Sequence, residues 1–556
     1  MRVLKTVNGL RVNAIAGTYV VLFGFDLPKT ECEGLMGFSI HRVDHNEKES
    51  YYLEGMKVFE ETNPGFPSGS SYSTKSQPIQ SFQWADYSAK PGYTYTYTVA
   101  ALKGEPTNLE KYAEVEIDIT TESPESGNHD VYFNRGTAAS QEYVRRFGDV
   151  SPVNEGLDDV VRKNILKWLS RGIYEALENY VNTCEAEKHS LRIAAYEFNY
   201  EPFLQLLKET IDRGVDIQIV YDARKESPKK DNVLAVNNIG LGGNCKPRTE
   251  GASYISHNKF IVKIENGTPI SVWTGGMNFS ISGIFGHSNV AHIVEEQAVA
   301  EKYLDYWELL FQDPKTTAEK KEVEKISTLP TIPLAEGSVC VFSPRKSLDA
   351  LNLYSELAMN ASNGLFMTFA FGINQIFKDV YRDSTTPLRF ALLEKATRPM
   401  KDGPEKDAEE QEIIDLRKKT ENVFAIGNFI KTNEFDGWLK ERLTGLNKNV
   451  KYIHNKFMLV DPLSDSPIVV TGSANFSDAS TINNDENMVI IKGNKRIADI
   501  YLGEYMRMFS HFSFRESLTF KKDKNAKPKY LRTDNWWEDY YKDNDRSSRR
   551  KFFARN

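Results

Sequence analysis

His257-Asn258-Lys259-Phe260 and His454-Asn455-Lys456-Phe457 spell the same four residues 197 positions apart. Both run on, at matching offsets, into a second shared phrase. It is Thr274-Gly275 then Asn278-Phe279-Ser280 in the first copy, and Thr471-Gly472 then Asn475-Phe476-Ser477 in the second. General hydrophobic patterning does not place the same polar residues at the same spacing twice, so the chain reads as a duplication. Phe260-Ile261-Val262 and Phe457-Met458-Leu459-Val460 after each lysine read as strands. Residues two apart on a strand share a face, so His257 points with Lys259 and His454 with Lys456. A turn and a return strand then bring back Asn278 and Asn475. Two such halves offer two imidazoles, two ammonium groups and two amides to one phosphate. The cations neutralise it, and the imidazoles divide the work of nucleophile and acid.

Outward from the motifs, strand and helix alternate. Leu191–Tyr196 reads as a buried strand, Phe203, Leu206, Leu207 and Ile211 as a helix stopped by Gly214, and Val215–Tyr221 as the next strand. Leu365–Ala370, a helix around Ile376 to Tyr381, and Leu388–Leu393 repeat that order ahead of the second motif. A charged insert at roughly 398–420 reads as a solvated helix. Residues 1–122 read differently. In Tyr93-Thr94-Tyr95-Thr96-Tyr97-Thr98-Val99 tyrosine and threonine alternate at period two behind the Pro91-Gly92 turn. Trp84 stands nine residues ahead as a candidate core aromatic, and short strands with frequent turns predict a β-sandwich. The polar stretch Thr120–Gly127 reads as a linker. The fold class expected is therefore multidomain: an all-β N-terminal sandwich (1–122), then a duplicated α/β core with halves at 130–325 and 326–515. A tail at 516–556 combines Lys521, Lys522, Lys524, Lys527 and Lys529 with Trp536-Trp537 and Tyr540-Tyr541, and is expected to fold over the α/β core.

The chain has 556 residues, 40% hydrophobic and 12% aromatic, enough for several large cores. A net charge of −7 argues against non-specific coating of nucleic acid but permits a local basic cleft. Four separated cysteines without a CxxC pair fit a reduced compartment. The N-terminus lacks the apolar core of an export signal, and no apolar run approaches the length of about 18 residues that spans a bilayer. A cytoplasmic location is expected. No HExxH, CxxC or phosphate-loop pattern is present, and Gly242-Gly243 reads as a turn, so neither metal nor cofactor is expected.

The first 122 residues resemble a fibronectin type III domain, mainly through Pro91-Gly92-Tyr93-Thr94-Tyr95-Thr96-Tyr97. The second motif, His454-Asn455-Lys456, Asp461, Gly472-Ser473-Ala474-Asn475 and then Glu486, resembles the phospholipase D superfamily signature in every element. That resemblance covers about residues 130–515. It implies metal-independent cleavage of a phosphodiester through a covalent phosphohistidine, with His257, Lys259, Asn278, His454, Lys456, Asn475 and Glu486 as catalytic residues. Ser473, Gly276 and Asn289 are expected at the substrate, and Asp461 at a strand end or turn. The first copy departs from the pattern, with Ile264 and Glu265 in place of the aspartate, Gly276 in place of Ser473, and His287 and Asn289 in place of Asn484 and Glu486. In the superfamily the late acidic residue bonds a catalytic histidine across the halves. Crossing here implies Glu486 on His257 as nucleophile, and Asn289 opposite His454 as acid. His287 and His292 read as core or rim residues.

Three substrate classes stay open. An intracellular nuclease acting on DNA or RNA is favoured, with Lys225, Lys229-Lys230 and Lys246–Arg248 as a basic approach. A phospholipase D is the alternative, and its candidate interfacial loop is Ile281–Phe285. A catalytically weakened phosphate-binding module is the third. The sandwich is also a candidate dock for a protein partner.

Overall fold

A computed structural model describes residues 1–65, 70–136, 140–251, 254–397, 400–428, 443–447, 450–519 and 530–556. The five tail lysines, 521 to 529, lie outside the described residues. Two four-stranded antiparallel sheets form the N-terminal region. One contains Arg2–Val7, Leu10–Ala16, Val21–Asp26 and Gln83–Asp86; the other orders Asn108–Thr120, Thr94–Glu105, Leu35–Asp44 and Glu49–Tyr52. The period-two reading holds. Tyr95 and Tyr97 are fully buried against Phe23, Phe25 and Phe38, while the threonines between them stay half-exposed. Trp84 is only partly buried at the edge of this core.

The polar linker is shorter than its composition predicts, because Glu125–Ser126 already pairs with His129–Phe133 in the next sheet. Two large mixed sheets follow, and their central strand order is the same. In the first, Val290–Val294, Thr268–Gly275, Lys259–Glu265, His189–Ala195, Asp216–Asp222 and Cys245–Arg248 lie side by side. The second repeats this with Glu486–Lys492, Ile468–Gly472, Phe457–Val460, Leu365–Phe369, Arg389–Leu393 and Asn422–Ile426. In each, the strand before the helical crossover pairs antiparallel with the motif strand and parallel with the next. Helices Gln297–Gln312 and Lys495–Thr519 lie against these sheets. Their tyrosines Tyr303 and Tyr501 donate to Thr274 and Thr471, both at 3.2 Å. Residues of both sheets and both helices, among them Phe260, Val272, Tyr303, Phe457, Val469 and Tyr501, share one apolar core. The motif strands are thereby fixed relative to each other.

Two expectations are corrected. The C-terminal segment packs chiefly on the N-terminal sheets: Trp536 and Trp537 bury in their core, and helix Asp545–Ala554 lies on Val21–Asp26. The approach is close enough that a Cβ on Gly24 would sit 2.1 Å from the Phe553 backbone, which requires glycine there. The boundary at 516 also falls inside the helix Lys495–Thr519. The insert helix Pro404–Arg417 is solvated on one face only. Ile413 and Leu416 are buried on the other, and Lys378 bonds Glu409 at 2.7 Å and Glu412 at 2.8 Å. Among the described residues no helix is long and apolar enough to cross a membrane.

Candidate active site

The chain reaches each motif through a backbone crossing between the two sheets. Ser256 bridges Asp485 and Ile453 bridges Ser288, both in parallel sense. His257 N donates to Asp485 O at 2.9 Å and His454 N to Ser288 O at 3.2 Å. Each bridge leaves the following residue, Glu486 or Asn289, directly against the histidine of the opposite sheet.

The consequences for the two imidazoles differ. His257 Nδ1 lies 2.8 Å from Glu486 Oε2 and donates to that carboxylate. His454 Nδ1 lies 3.0 Å from Asn289 Oδ1. Asn289 Nδ2 donates to Gly283 O at 2.7 Å, so the amide oxygen is the end turned to the ring and His454 Nδ1 carries the proton. Burial pushes His257 down to about 4, against the pull of Glu486 and with the Lys259 charge acting downward too. His454 lies well below the ordinary range through burial, with Lys456 and His287 adding to the effect and no carboxylate opposing it.

Lys259 and Lys456 are each 1% exposed. Each ammonium donates to the carbonyl of its own histidine, Lys456 to His454 O at 2.6 Å. Lys259 also stands 4.9 Å over the Tyr196 ring, which packs edge-on against His257. Burial lowers Lys259 to about 7, although Glu486, Glu197 and Asp222 pull upward. Lys456 falls well below its ordinary value through burial and the Lys259 charge. Asn278 and Asn475 have buried, unpartnered side-chain oxygens. A buried cluster of basic nitrogens that depress one another is a site that gains stability from an anion.

Three residues expected at substrate are engaged inside the protein. Ser473 is fully buried; its hydroxyl donates to Glu486 Oε2 at 2.7 Å and accepts from Asn487 N at 3.0 Å. Asn289 is committed to His454. At Gly276 a Cβ would lie 3.2 Å from Asn289 Oδ1, so a serine there would press on the group that holds His454. The substitutions in the first copy are thus coupled: the hydroxyl partner is missing where the carboxylate is missing. Asp461 accepts from the backbone N–H groups of Ser362, Asn363 and Gly364 at 2.6–3.1 Å.

Several contributors escape sequence reasoning. Asp222 Oδ1 accepts from Ser256 N at 2.6 Å, and Glu394 accepts from the N–H groups of Lys451, Tyr452 and Ile453 at 2.8–2.9 Å. Asp222 ends the strand Asp216–Asp222, Glu394 directly follows Arg389–Leu393, and each tethers the chain entering a motif. Their one sequence signal is that matched position, Tyr221-Asp222 against Leu393-Glu394. Asp485 is held by Arg224 at 3.0 Å and Arg248 at 2.9 Å, and Arg248 also bonds Glu319 at 2.8 Å. Arg248 is therefore part of the brace behind Glu486, not of an exposed basic approach. Lys229 and Lys230 are exposed, whereas Lys246 rests on Phe311.

The residues between histidine and lysine point the other way, into the core, and are not equivalent. Asn258 donates to Tyr306 at 3.1 Å and accepts from Asn487 Nδ2 at 2.7 Å. Asn455 is equally buried with both side-chain polar atoms unpartnered, since Val290 stands where the other half has Asn487. We expect Asn258→Ala to cost about 1–3 kcal/mol, because it strands buried partners, and Asn455→Ala to be near neutral. Denaturation midpoints of the two variants check this; equal losses would contradict it.

Residues 181–310 and 416–509, which include both motifs, match the family model described as "Cardiolipin synthase, PLD-like domain". No curated protein matches the chain. Among solved structures, polyphosphate kinase from Porphyromonas gingivalis aligns at 10% identity and TM-score 0.38, over 57% of this chain and 43% of its own. The chain thus spans less than half the length of that relative. Nuc from Salmonella typhimurium, titled a phospholipase D family member, aligns at 25% identity and TM-score 0.22, over 25% of this chain and 87% of its own. Phosphatidylserine synthase from Haemophilus influenzae Rd KW20 aligns at 9% identity and TM-score 0.44, over 62% of this chain and 85% of its own.

Proposed function

We propose that this protein is a metal-independent phosphodiesterase that works through a phosphohistidine on His257, and that its substrate is DNA or RNA. The observation that carries the reading is the asymmetric pair: His257 bonded to a carboxylate, His454 bonded to a neutral amide, with both lysines buried and bonded to the carbonyls of these histidines. His257 Nε2 attacks phosphorus while His454, entering as the imidazolium that the bound anion stabilises, donates its Nε2 proton to the leaving oxygen, and the P–O bond breaks as the P–N bond forms. His454 then takes a proton from water, the resulting hydroxide attacks phosphorus, and His257 departs. Lys259, Lys456, Asn278 and Asn475 bind the non-bridging oxygens and stabilise the charge that accumulates on them. Glu486 keeps His257 in its Nδ1–H form and stabilises the positive charge of the phosphorylated ring, as the carboxylate of a hydrolase triad does.

Nucleic acid is favoured over lipid because the loop best placed to meet a bilayer is not free to do so. Ile281 is 38% exposed, but Gly283, Ile284, Phe285 and Gly286 are buried. The N-terminal region as a fibronectin type III-like domain, and the α/β region as two halves of a duplication, belong to the same proposal; strand order supports both.

The test is hydrolysis of a single-stranded oligonucleotide, a duplex and phosphatidylcholine vesicles, all in EDTA. We expect oligonucleotide cleavage that EDTA leaves intact and that falls steeply with salt, with a log–log slope of about −0.7 per phosphate contacted on a single strand. Turnover of vesicles alone would overturn the nuclease reading and keep the phosphodiesterase. Loss of all activity in EDTA, restored by added metal, would overturn both.

A further inference from the structure

One carboxylate stands near the two buried lysines without serving either histidine. Strand His189–Ala195 pairs antiparallel with the first motif strand, Ala195 opposite Lys259, so the chain beyond it runs on alongside Asn258 and His257. Tyr196 packs edge-on against His257, with the Lys259 ammonium over its ring. Phe198 bridges to Phe279, the neighbour of Asn278. Glu197 lies between these two contacts. It is half-buried, and its Oε2 accepts from the Ser280 hydroxyl at 2.6 Å. Among the described residues it forms no ion pair. Its charge acts on both Lys259 and Lys456, drawing each upward against burial.

The other carboxylates nearby are engaged. Glu486 also acts on both lysines, but it is fully buried and accepts from His257 and Ser473. Asp222 acts on Lys259 and holds Ser256 N. Glu197 is also peculiar to the first copy. Ala195 and Phe369 pair with the matched Tyr221 and Leu393, so the place of Glu197 in the second copy is taken by Phe371, which is 43% exposed. The groups that the two copies share are complete without an acid here.

Charge counting says what such an acid does. A phosphodiester brings one negative charge to the two ammonium groups. The monoester that its hydrolysis leaves carries nearly two at pH 7, because its second pKa is about 6. Repulsion from a fixed carboxylate grows with the charge of the bound anion and is only partly screened at a half-buried position. It therefore falls more heavily on the monoester.

We propose that Glu197 is a specificity-determining residue, a fixed negative charge that suits the pocket to a singly charged phosphodiester and disfavours the doubly charged monoester, whether offered as substrate or formed as product. This rests on the reading of the site as a phosphodiesterase.

Two variants separate charge from hydrogen bond. Glu197→Gln keeps an oxygen for Ser280 and removes the charge, whereas Ser280→Ala removes the bond and keeps the charge. The probes are dimethylphosphinate, singly charged with no ester bond to cleave, and methyl phosphate, doubly charged. Their dissociation constants are measured on the full chain at pH 7 in EDTA, from 15N imidazole shifts assigned by their loss in His257→Gln and His454→Gln. We expect Glu197→Gln to tighten methyl phosphate about 3–10-fold relative to dimethylphosphinate, and Ser280→Ala to keep the wild-type ratio. An unchanged or reversed ratio in Glu197→Gln would overturn the proposal. A shift of the same size in Ser280→Ala would assign the effect to the loop and overturn it too. The titration needs no turnover, so a wild type that binds both anions and cleaves nothing would defeat the phosphodiesterase reading while leaving the charge preference measurable. A wild type that binds neither would overturn both.

Discussion

His257→Ala abolishes both the first and every later turnover of an aryl phosphodiester, whereas His454→Ala releases one equivalent of phenol per site and then stalls. This is the largest effect expected, a loss of steady-state rate of at least about 10³-fold in each variant. The asymmetry follows from the partners of the two rings. A phenolate leaves without a proton, so the acid is dispensable in the first step, but the second step needs His454 to take a proton from water. Without His257 there is nothing to accept the phosphoryl group. Both side chains are 5% exposed and neither is needed for the apolar core, so the variants are expected to fold. Rapid-mixing absorbance at two enzyme concentrations gives the burst amplitude. A burst in His257→Ala and none in His454→Ala would exchange the two roles.

Glu486→Gln is expected to lower kcat by about 10²–10⁴-fold with little change in KM, the range seen when the carboxylate behind a catalytic histidine is removed. Glu486 takes protons from two donors, His257 Nδ1 at 2.8 Å and the Ser473 hydroxyl at 2.7 Å. An amide has one oxygen for both, and its NH2 end would oppose one of them. The sign of the pH effect is set by the same carboxylate, which raises His257 against burial. Its removal lowers the His257 value below about 4, so the acid limb moves to lower pH while the plateau falls. An acid limb that moves to higher pH would contradict the pairing. Ser473→Ala should reproduce part of the loss, because its hydroxyl serves Glu486 and not the phosphate.

Much of the site was legible because it is spelled in residue identity. The repeated His-Asn-Lys and Asn-Phe-Ser phrases mark two candidate half-sites, and the family resemblance implies the crossing that pairs Glu486 with His257 and Asn289 with His454. The geometry adds what identity does not carry. Asp222 and Glu394 act on backbone N–H groups 34 and 57–59 residues downstream, and a backbone donor leaves no mark in sequence. His287 reads as a rim or core residue until the Ser288–Ile453 bridge sets it on His454. The family resemblance implies Ser473 at the substrate; the pairing of Gly472 with Met488 instead aims it at Glu486. In the tail, Trp536-Trp537 carries no indication in sequence that the N-terminal sheets are the surface covered.

The central claim is that the phosphoryl group passes through His257. His454→Ala, which stalls after the first step, is mixed with a 32P-labelled aryl phosphodiester in EDTA, quenched in alkali to preserve a phosphoramidate, and digested to peptides. The account predicts about one label per chain, on the peptide that contains His257. Label on another peptide, or phenol release in a burst with no label on the protein, would contradict it.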